Sequence, residues 1–458
     1  MGRISRRDFI RHSMIMGTGV MALPVVLKSR AVSTDDPEKP DEFLLCPPYL
    51  GCPTRSSILL NLVSGEKAIK YRIRFCEAKE IASGEWQQTE DSPMEPLTVR
   101  QIRLEHLKPD TEYRYQLFAR LKDQSELQML MENSFRTQRT TPSPFSFALF
   151  SDAHIYPSQE ALDRYRILNK VTSSILVRGP DLSLMLGDNI QTFTSHGGPM
   201  IEKRYGRILY AQLRHALGAL PSSVPLFNII GNWEGENGWH PERERGWARQ
   251  ARMTWVPTPD PKTYPEGGSE FGDYYGFSWG DALFLVLNVS GYTSSDHTLQ
   301  SPIGRADDWT LGEVQKQWLH MRLSTSTAKW KFLFLHHPVG GKGGNDLNSR
   351  YGRGGGRAAH TGEQALIHEW MKAYGVQVLF YGHDHVFTDI LVDGIHYVCV
   401  GSAGAPWKFT EKETGYKTFW TPSGYTWVDV HDTRVKISFI GTEIAGPKGR
   451  VLHSFEIS

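Results

Sequence analysis

The sequence predicts two folded parts, a small all-β unit followed by a larger α/β unit with two packed sheets and helices outside. Three observations predict it. Residues 46–141 hold short runs of alternating apolar and polar residues separated by turn formers, the pattern of half-buried strands. Beyond residue 142, apolar β-branched runs alternate with helical stretches, which is an α/β signature. At 458 residues, with 40% hydrophobic content and 13 Trp, the chain is too long for one typical domain and has ample material for a packed core.

The first 31 residues stand apart. They hold Arg3, Arg6, Arg7, Arg11, Lys28 and Arg30 against Asp8 alone, so the formal charge of +1 leaves the rest of the chain close to neutral. No basic field points to nucleic acid. "SRRDFI" (Ser5–Ile10) precedes an apolar stretch, Met14 to Val26, that is shorter than the roughly 18 residues of a membrane span. This resembles a twin-arginine export signal, with cleavage expected after Ala31. The expected mature protein is periplasmic or extracellular, with no stable membrane span and no evident partner protein. Residues 32–45, charged and proline-containing, read as a linker.

In residues 46–141 the expected strands are "SSILLNLV", "AIKYRIRFCEA", "LTVRQIRL", "TEYRYQLFAR" and "SFRTQR". "LKPDTEYRYQL" (Leu107–Leu117) has the turn-then-tyrosine form of a sandwich corner, where Tyr113 would bond back to the backbone. This part resembles a fibronectin type III domain and is expected to be a spacer or rim module. Cys46, Cys52, Cys76 and Cys399 show no zinc spacing. Cys46 and Cys52 could bridge around "PPYLG", or be buried free thiols.

"TPSP" (Thr141–Pro144) opens the second part, residues 142–458. Its expected strands are "FSFALF", "DLSLML", "VPLFNII", "YYGFSW", "ALFLVLNV", "WKFLFL", "VQVLFY" and "HYVCV", then a β-rich tail; helices are expected near Ala161–Val177 and Ile201–Leu217. Polar residues follow these strands in a telling order. "FSDAHI" ends one with Asp152 and His154, "LMLGDN" another with Asp188, and "NIIGN" a third with Asn232. "FLFLHHP" ends with His336 and His337, and "LFYGHDHVF" with His383 and His385. A lone Asp or His after a strand is more often a turn former or a satisfied core residue. Five such pieces, each after an apolar strand, are hard to explain as accident. These are oxygen and nitrogen ligands with no thiolate, which suits Mn, Fe, Co or Zn.

The series D-x-H, G-D, G-N, H-x-P and G-H-x-H, over Phe145 to Gly404, is similar to the calcineurin-like metallophosphoesterases, and the preceding sandwich with "GHDHVF" resembles their purple acid phosphatase branch. The resemblance implies a four-layer α/β/β/α sandwich and a centre of two divalent or mixed-valence transition metal ions (Fe, Mn, Zn or Co). Asp152, His154 and His385 would hold one ion. Asn232, His336 and His383 would hold the other, with Asp188 bridging. His337 is the rival to His336, which is preferred because it sits two residues before Pro338. A pair of cations about 4 Å apart would turn a bridging water into a hydroxide nucleophile and neutralise phosphoryl oxygens.

Two positions depart from that pattern. The purple enzymes carry a tyrosine three residues after the bridging Asp; here it is Gln191, so a non-purple metal pair is expected. Relatives read G-N-H where this chain has Trp233, so the usual proton donor is missing. Losing a general acid costs about 10²–10⁴ in rate, and good leaving groups would suffer little. His196 or His240 could take its place, with His196 favoured. "GGKGGNDLNSRYGRGGGR" (Gly340–Arg357), with Lys342, Arg350, Arg353 and Arg357, reads as an anion-gripping rim or a solvated loop; Lys342, Arg353 and Arg357 join Asn232 as expected substrate contacts. Asp384 should point away from the metals and could orient a ligand. The Trp-rich "WEGENGW" could stack on an aromatic or sugar group.

The expected function is an exported metal-dependent hydrolase of small-molecule phosphoesters, with phosphomonoesters leading. A phosphodiesterase or nucleotidase is the near rival, and a non-catalytic metal-containing surface binding protein is the alternative from another class.

Overall fold

The structure is a computed structural model that describes residues 43–140, 142–156, 161–192, 203–294, 310–337, 363–406, 416–443 and 446–458. Residues 1–42, with the expected export signal, lie outside them.

The first part is built from eight strands: β1 (Tyr49–Gly51), β2 (Ile58–Val63), β3 (Ala68–Glu77), β4 (Gln87–Gln88), β5 (Ser92–Pro93), β6 (Val99–Leu104), β7 (Glu112–Leu121) and β8 (Gln128–Arg136). One sheet runs β1-β2-β6. The other runs β4-β3-β7-β8, with β5 also on β3. β7 shows why the sequence makes strands here. Tyr113, Tyr115, Leu117, Ala119 and Leu121 alternate inward into a common core while the residues between them face outward. Tyr113 Oη accepts the backbone N–H of Lys108 at 2.8 Å, which closes the corner.

Of the two alternatives for Cys46 and Cys52, the structure has free, buried thiols. Two features differ from the sequence expectation. "PPYLG" is not a free loop, since Tyr49–Gly51 pairs with β2. The last strand begins at Gln128 rather than Ser134, because this half-exposed edge carries no clean alternation for a sequence to show.

The second part holds β9 (Phe145–Phe150), β10 (Leu182–Met185), β11 (Leu226–Asn228), β12 (Tyr275–Trp279), β13 (Ala282–Val286), β14 (Trp330–Phe334), β15 (Val378–Tyr381), β16 (Phe387–Val392), β17 (Ile395–Val400), β18 (Gly424–Val430), β19 (Val435–Gly441) and β20 (Arg450–Ile457). They form two six-stranded sheets, β11-β10-β9-β18-β19-β20 and β12-β13-β14-β15-β17-β16. β9, β10 and β11 are mutually parallel, as are β13, β14, β15 and β17. Such strands are covered on both faces and read as continuous apolar runs.

The inner faces meet in an aromatic core that includes Phe147, Phe284, Phe332, Phe334, Phe380 and Phe439. Helices α1 (Ala161–Arg178) and α2 (Lys203–Leu217) cover the outer face of the first sheet through Leu168, Val171, Ile175, Leu209 and Leu213. Helices α5 (Gly312–Thr325) and α6 (Glu363–Ala373) cover the second through Leu319, Leu323, Ile367 and Met371. Between these pairs lie the short α3 (Leu220–Ser223) and α4 (Glu242–Trp255). The result is the α/β/β/α order, with the all-β unit ahead of it.

The two parts are welded together. Arg214 on α2 is fully buried, and its guanidinium donates to the Asn61 side chain and to the backbone oxygens of Asn61 and Pro47. Asn61 Nδ2 and Gln101 Nε2 donate to Thr254 O and Met253 O at the end of α4. The β unit therefore braces α4, the helix behind the loop that follows β11.

Candidate metal centre

Every residue singled out at a strand end sits at the carboxyl edge of a parallel strand, where α/β folds place ligands. Asp152 and His154 follow β9, Asp188 follows β10 and Asn232 follows β11, all in the first sheet. His336 and His337 follow β14, and His383 and His385 follow β15, in the second. The site lies where the two sheet edges meet.

The backbone is bent to aim these side chains. Asp152, His154, Asp188, His383 and His385 all have positive φ, between 47° and 69°. Non-glycine residues seldom adopt this region, and each costs on the order of 1–3 kcal/mol that surrounding bonds must offset. Asp152 N–H donates to Gly187 O and His154 N–H to Asp188 O, so the loops after β9 and β10 hold each other. Gly231 is required by close approach, since a Cβ there would lie 2.2 Å from Asp188 Oδ1. His383 and His385, two apart in the sequence, are both left-handed, so they are not presented by simple strand alternation.

Each aspartate has one oxygen fixed and one directed inward. Asp188 Oδ1 accepts the Trp233 N–H at 2.9 Å. Its Oδ2 faces His336 Nε2 at 3.0 Å, His154 Nε2 at 3.4 Å and His383 Nδ1 at 4.0 Å. Asp152 Oδ2 accepts the His383 N–H at 2.9 Å. Its Oδ1 faces His385 Nε2 at 3.3 Å and His154 Nε2 at 3.8 Å. His336 Nδ1 meets Leu186 O at 2.7 Å and His385 Nδ1 meets Pro406 O at 2.8 Å. A carbonyl only accepts, so each Nδ1 carries the proton and each Nε2 presents its lone pair when the ring is neutral.

That arrangement fits metal ions. Asp152 Oδ1, Asp188 Oδ2, Asn232 Oδ1 and the Nε2 atoms of His154, His336 and His385 are buried and find no hydrogen-bond partner among the described residues. Buried polar atoms are rarely left this way in a protein without a ligand for them. Asp152, His154 and His385 converge within 4.8 Å, as do Asp152, Asp188 and His336, and His336, His337 and His383. His337 is thus brought in too, but it is His336 that faces both aspartates. His337 Nδ1 instead hydrogen-bonds Ser290 Oγ at 3.0 Å, with its ring 4.0 Å from that of His383.

The charges settle around the carboxylates. Burial alone would raise Asp152, but His385, His154 and His336 hold it well below the usual carboxylate range. Asp188 is likewise lowered, His336 and His154 outweighing burial. Burial brings His154 down to about 4, while Asp188 and Asp152 overcome burial at His336 and raise it to about 9.

Two supports were not singled out from the sequence. Glu234 is buried, and its carboxylate accepts the N–H groups of Asp188 (3.1 Å), Asn189 (2.8 Å) and Gly231 (2.8 Å), stapling the loop after β10 to the loop after β11. Burial and the Asp188 charge push it up to about 8, against His336 and the Asn189 and Gly231 N–H groups. Glu236 forms a buried two-point ion pair with Arg252 of α4, at 2.6 and 3.1 Å. The only signal for either in the sequence is an acid in a loop of Gly, Asn and Trp. Asp384 accepts from Tyr416, which also bonds Tyr381.

His240 ends the same loop, edge-on to Trp239 at 5.8 Å. His196, Lys342, Arg350, Arg353 and Arg357 lie outside the described residues.

Residues 145–387, more than half of the chain, match the calcineurin-like phosphoesterase family. The chain belongs to that family. As a calcineurin-like phosphoesterase it is a metal-dependent phosphoester hydrolase, of a family that uses dinuclear metal centres. Its fold is similar to that of PhoD, at 17% identity and a TM-score of 0.67, covering 91% of this chain and 90% of that one. It is also similar to purple acid phosphatase PPD1 of yellow lupin (Lupinus luteus), at 16% identity and a TM-score of 0.63, covering 90% of this chain and 74% of that one. No curated protein sequence matches the chain. Among the described residues, no helix is long and apolar enough to cross a membrane.

Proposed function

We propose that this phosphoesterase hydrolyses phosphomonoesters and holds two transition metal ions. Asp152, His154, Asp188 and His385 would hold one ion. Asp188, Asn232, His336 and His383 would hold the other. The observation that carries the reading is Asp188 Oδ2, buried without a hydrogen bond between three imidazoles while its partner oxygen is fixed by the Trp233 N–H. An oxygen so placed is suited to be shared by two cations. When bound, the ions supply Lewis acidity toward the phosphoryl oxygens and activate water. The donor set of carboxylate, amide and imidazole suits Mn, Fe, Co or Zn, and Gln191 in place of a tyrosine argues for a non-purple pair.

The chain's own work is positioning. Leu186 O and Pro406 O set the tautomers of His336 and His385. Asn237 Nδ2 donates to Asn232 O at 2.7 Å and fixes a residue whose side chain would hold the second ion. Fold similarity to a purple acid phosphatase supports the monoester as substrate.

The metal-loaded protein should turn over p-nitrophenyl phosphate faster than bis(p-nitrophenyl) phosphate. The reverse preference would make it a phosphodiesterase, and turnover of neither would overturn the hydrolytic role of the site.

We also propose export through the N-terminal twin-arginine segment, supported by Arg6 and Arg7 ahead of the apolar stretch. A reporter fused after Ala31 should reach the periplasm, and changing both arginines to lysine should keep it in the cytoplasm. Export that ignores the change would refute this route.

A further inference from the structure

We infer that Trp233 restricts the site to phosphoesters whose leaving group departs as an anion, without a proton from the enzyme. The inference rests on the phosphoester-hydrolase reading above and names the substrate class of that same site.

Trp233 directly follows Asn232, and its backbone is held from both sides. Its N–H donates to Asp188 Oδ1 at 2.9 Å, and its carbonyl accepts from Thr192 N at 3.0 Å and Thr192 Oγ1 at 2.7 Å. The side chain therefore starts from a point fixed against the shared aspartate. Its indole stands edge-on to the His154 ring, 5.7 Å between centroids at 71°, and His154 in turn stands 5.1 Å from His385. Trp233 is half-buried, with its ring packed on His154. Among the described residues, His337 lies against His383 and is engaged by Ser290.

An indole N–H does not ionise, so this position cannot protonate an alkoxide. In the displacement the water oxygen forms the new P–O bond and its released proton passes to solvent. The old P–O bond breaks with both electrons leaving on the ester oxygen, which later takes its proton from solvent. For an aryl oxide or another stable anion the missing donor costs little; for an alkoxide it costs the roughly 10²–10⁴ of general acid catalysis.

The test is the dependence of kcat/KM on leaving-group pKa across aryl and alkyl phosphate monoesters, for the metal-loaded wild type, Trp233→His and Trp233→Phe. The wild type should fall steeply, with alkyl esters about 10²–10⁴ below aryl esters. Trp233→Phe should stay steep. Trp233→His should flatten the dependence, raising alkyl-ester turnover about 10- to 100-fold with little gain on aryl esters. A shallow wild-type dependence would overturn the inference while leaving the hydrolase reading intact. A shallow dependence that steepens in His196→Ala would overturn it by placing the acid on that loop. No turnover of any ester with two metals bound would remove the hydrolase reading and this inference together.

Discussion

Asp188→Asn should lose both metal binding and turnover. The wild-type carboxylate offers one oxygen to the Trp233 N–H and the other to the nitrogens of His336, His154 and His383. An amide can satisfy the first only by placing its NH₂ among the ligands, or the second only by facing N–H to N–H at Trp233. The loss should exceed the roughly 10- to 100-fold that a supporting residue costs, because a shared ligand and its charge are removed. Metal analysis beside phosphatase assay checks this. Retained turnover would show that the aspartate is not the centre of the site.

Glu234→Ala should be the most damaging change outside the ligands. It strands three buried N–H groups, each costing about 1–3 kcal/mol, and leaves the loop carrying Asn232 tied to the loop carrying Asp188 only through the Trp233 bonds to Asp188 and Thr192. Metal affinity and kcat/KM should each fall about 10- to 100-fold, with a lowered Tm. Glu234→Gln should recover little, since an amide NH₂ opposes one set of donors. Isothermal titration with Mn or Zn and thermal melts of the metal-free protein measure the two effects separately. Unchanged metal affinity in the alanine variant would show that the staple serves stability alone.

Much of this organisation is legible in the sequence, for a physical reason. A parallel strand buried on both faces is written as an apolar run, so the polar residues ending "FSFALF", "LSLM" or "WKFLF" stand out. Periodicity also marks β7 and the two helices on the first sheet. Other features depend on contacts between distant segments and leave no local trace. Glu234 reads as loop polarity until the loop after β10 is seen above it. Arg214 reads as a helix-surface charge until Asn61 and Pro47 close around it. The sandwich was expected to be a spacer or rim module, yet it is a brace for α4, joined to the site loop through Glu236 and Arg252. β16 was missed because "FTDILV" runs directly on from the histidine motif and is half-exposed toward its end. The left-handed bends at Asp152, His154, Asp188, His383 and His385 fall on residues that sterics would not choose for them.

Titration of the metal-free full chain with Mn, Zn or Fe, following p-nitrophenyl phosphate turnover at each addition, tests the central claim most directly. The account predicts activity that rises to a break at two equivalents per chain, vanishes on chelation, and is absent at every metal level in Asp188→Asn. Turnover that survives chelation, or full activity at one equivalent, would contradict a two-metal hydrolase built on these seven residues.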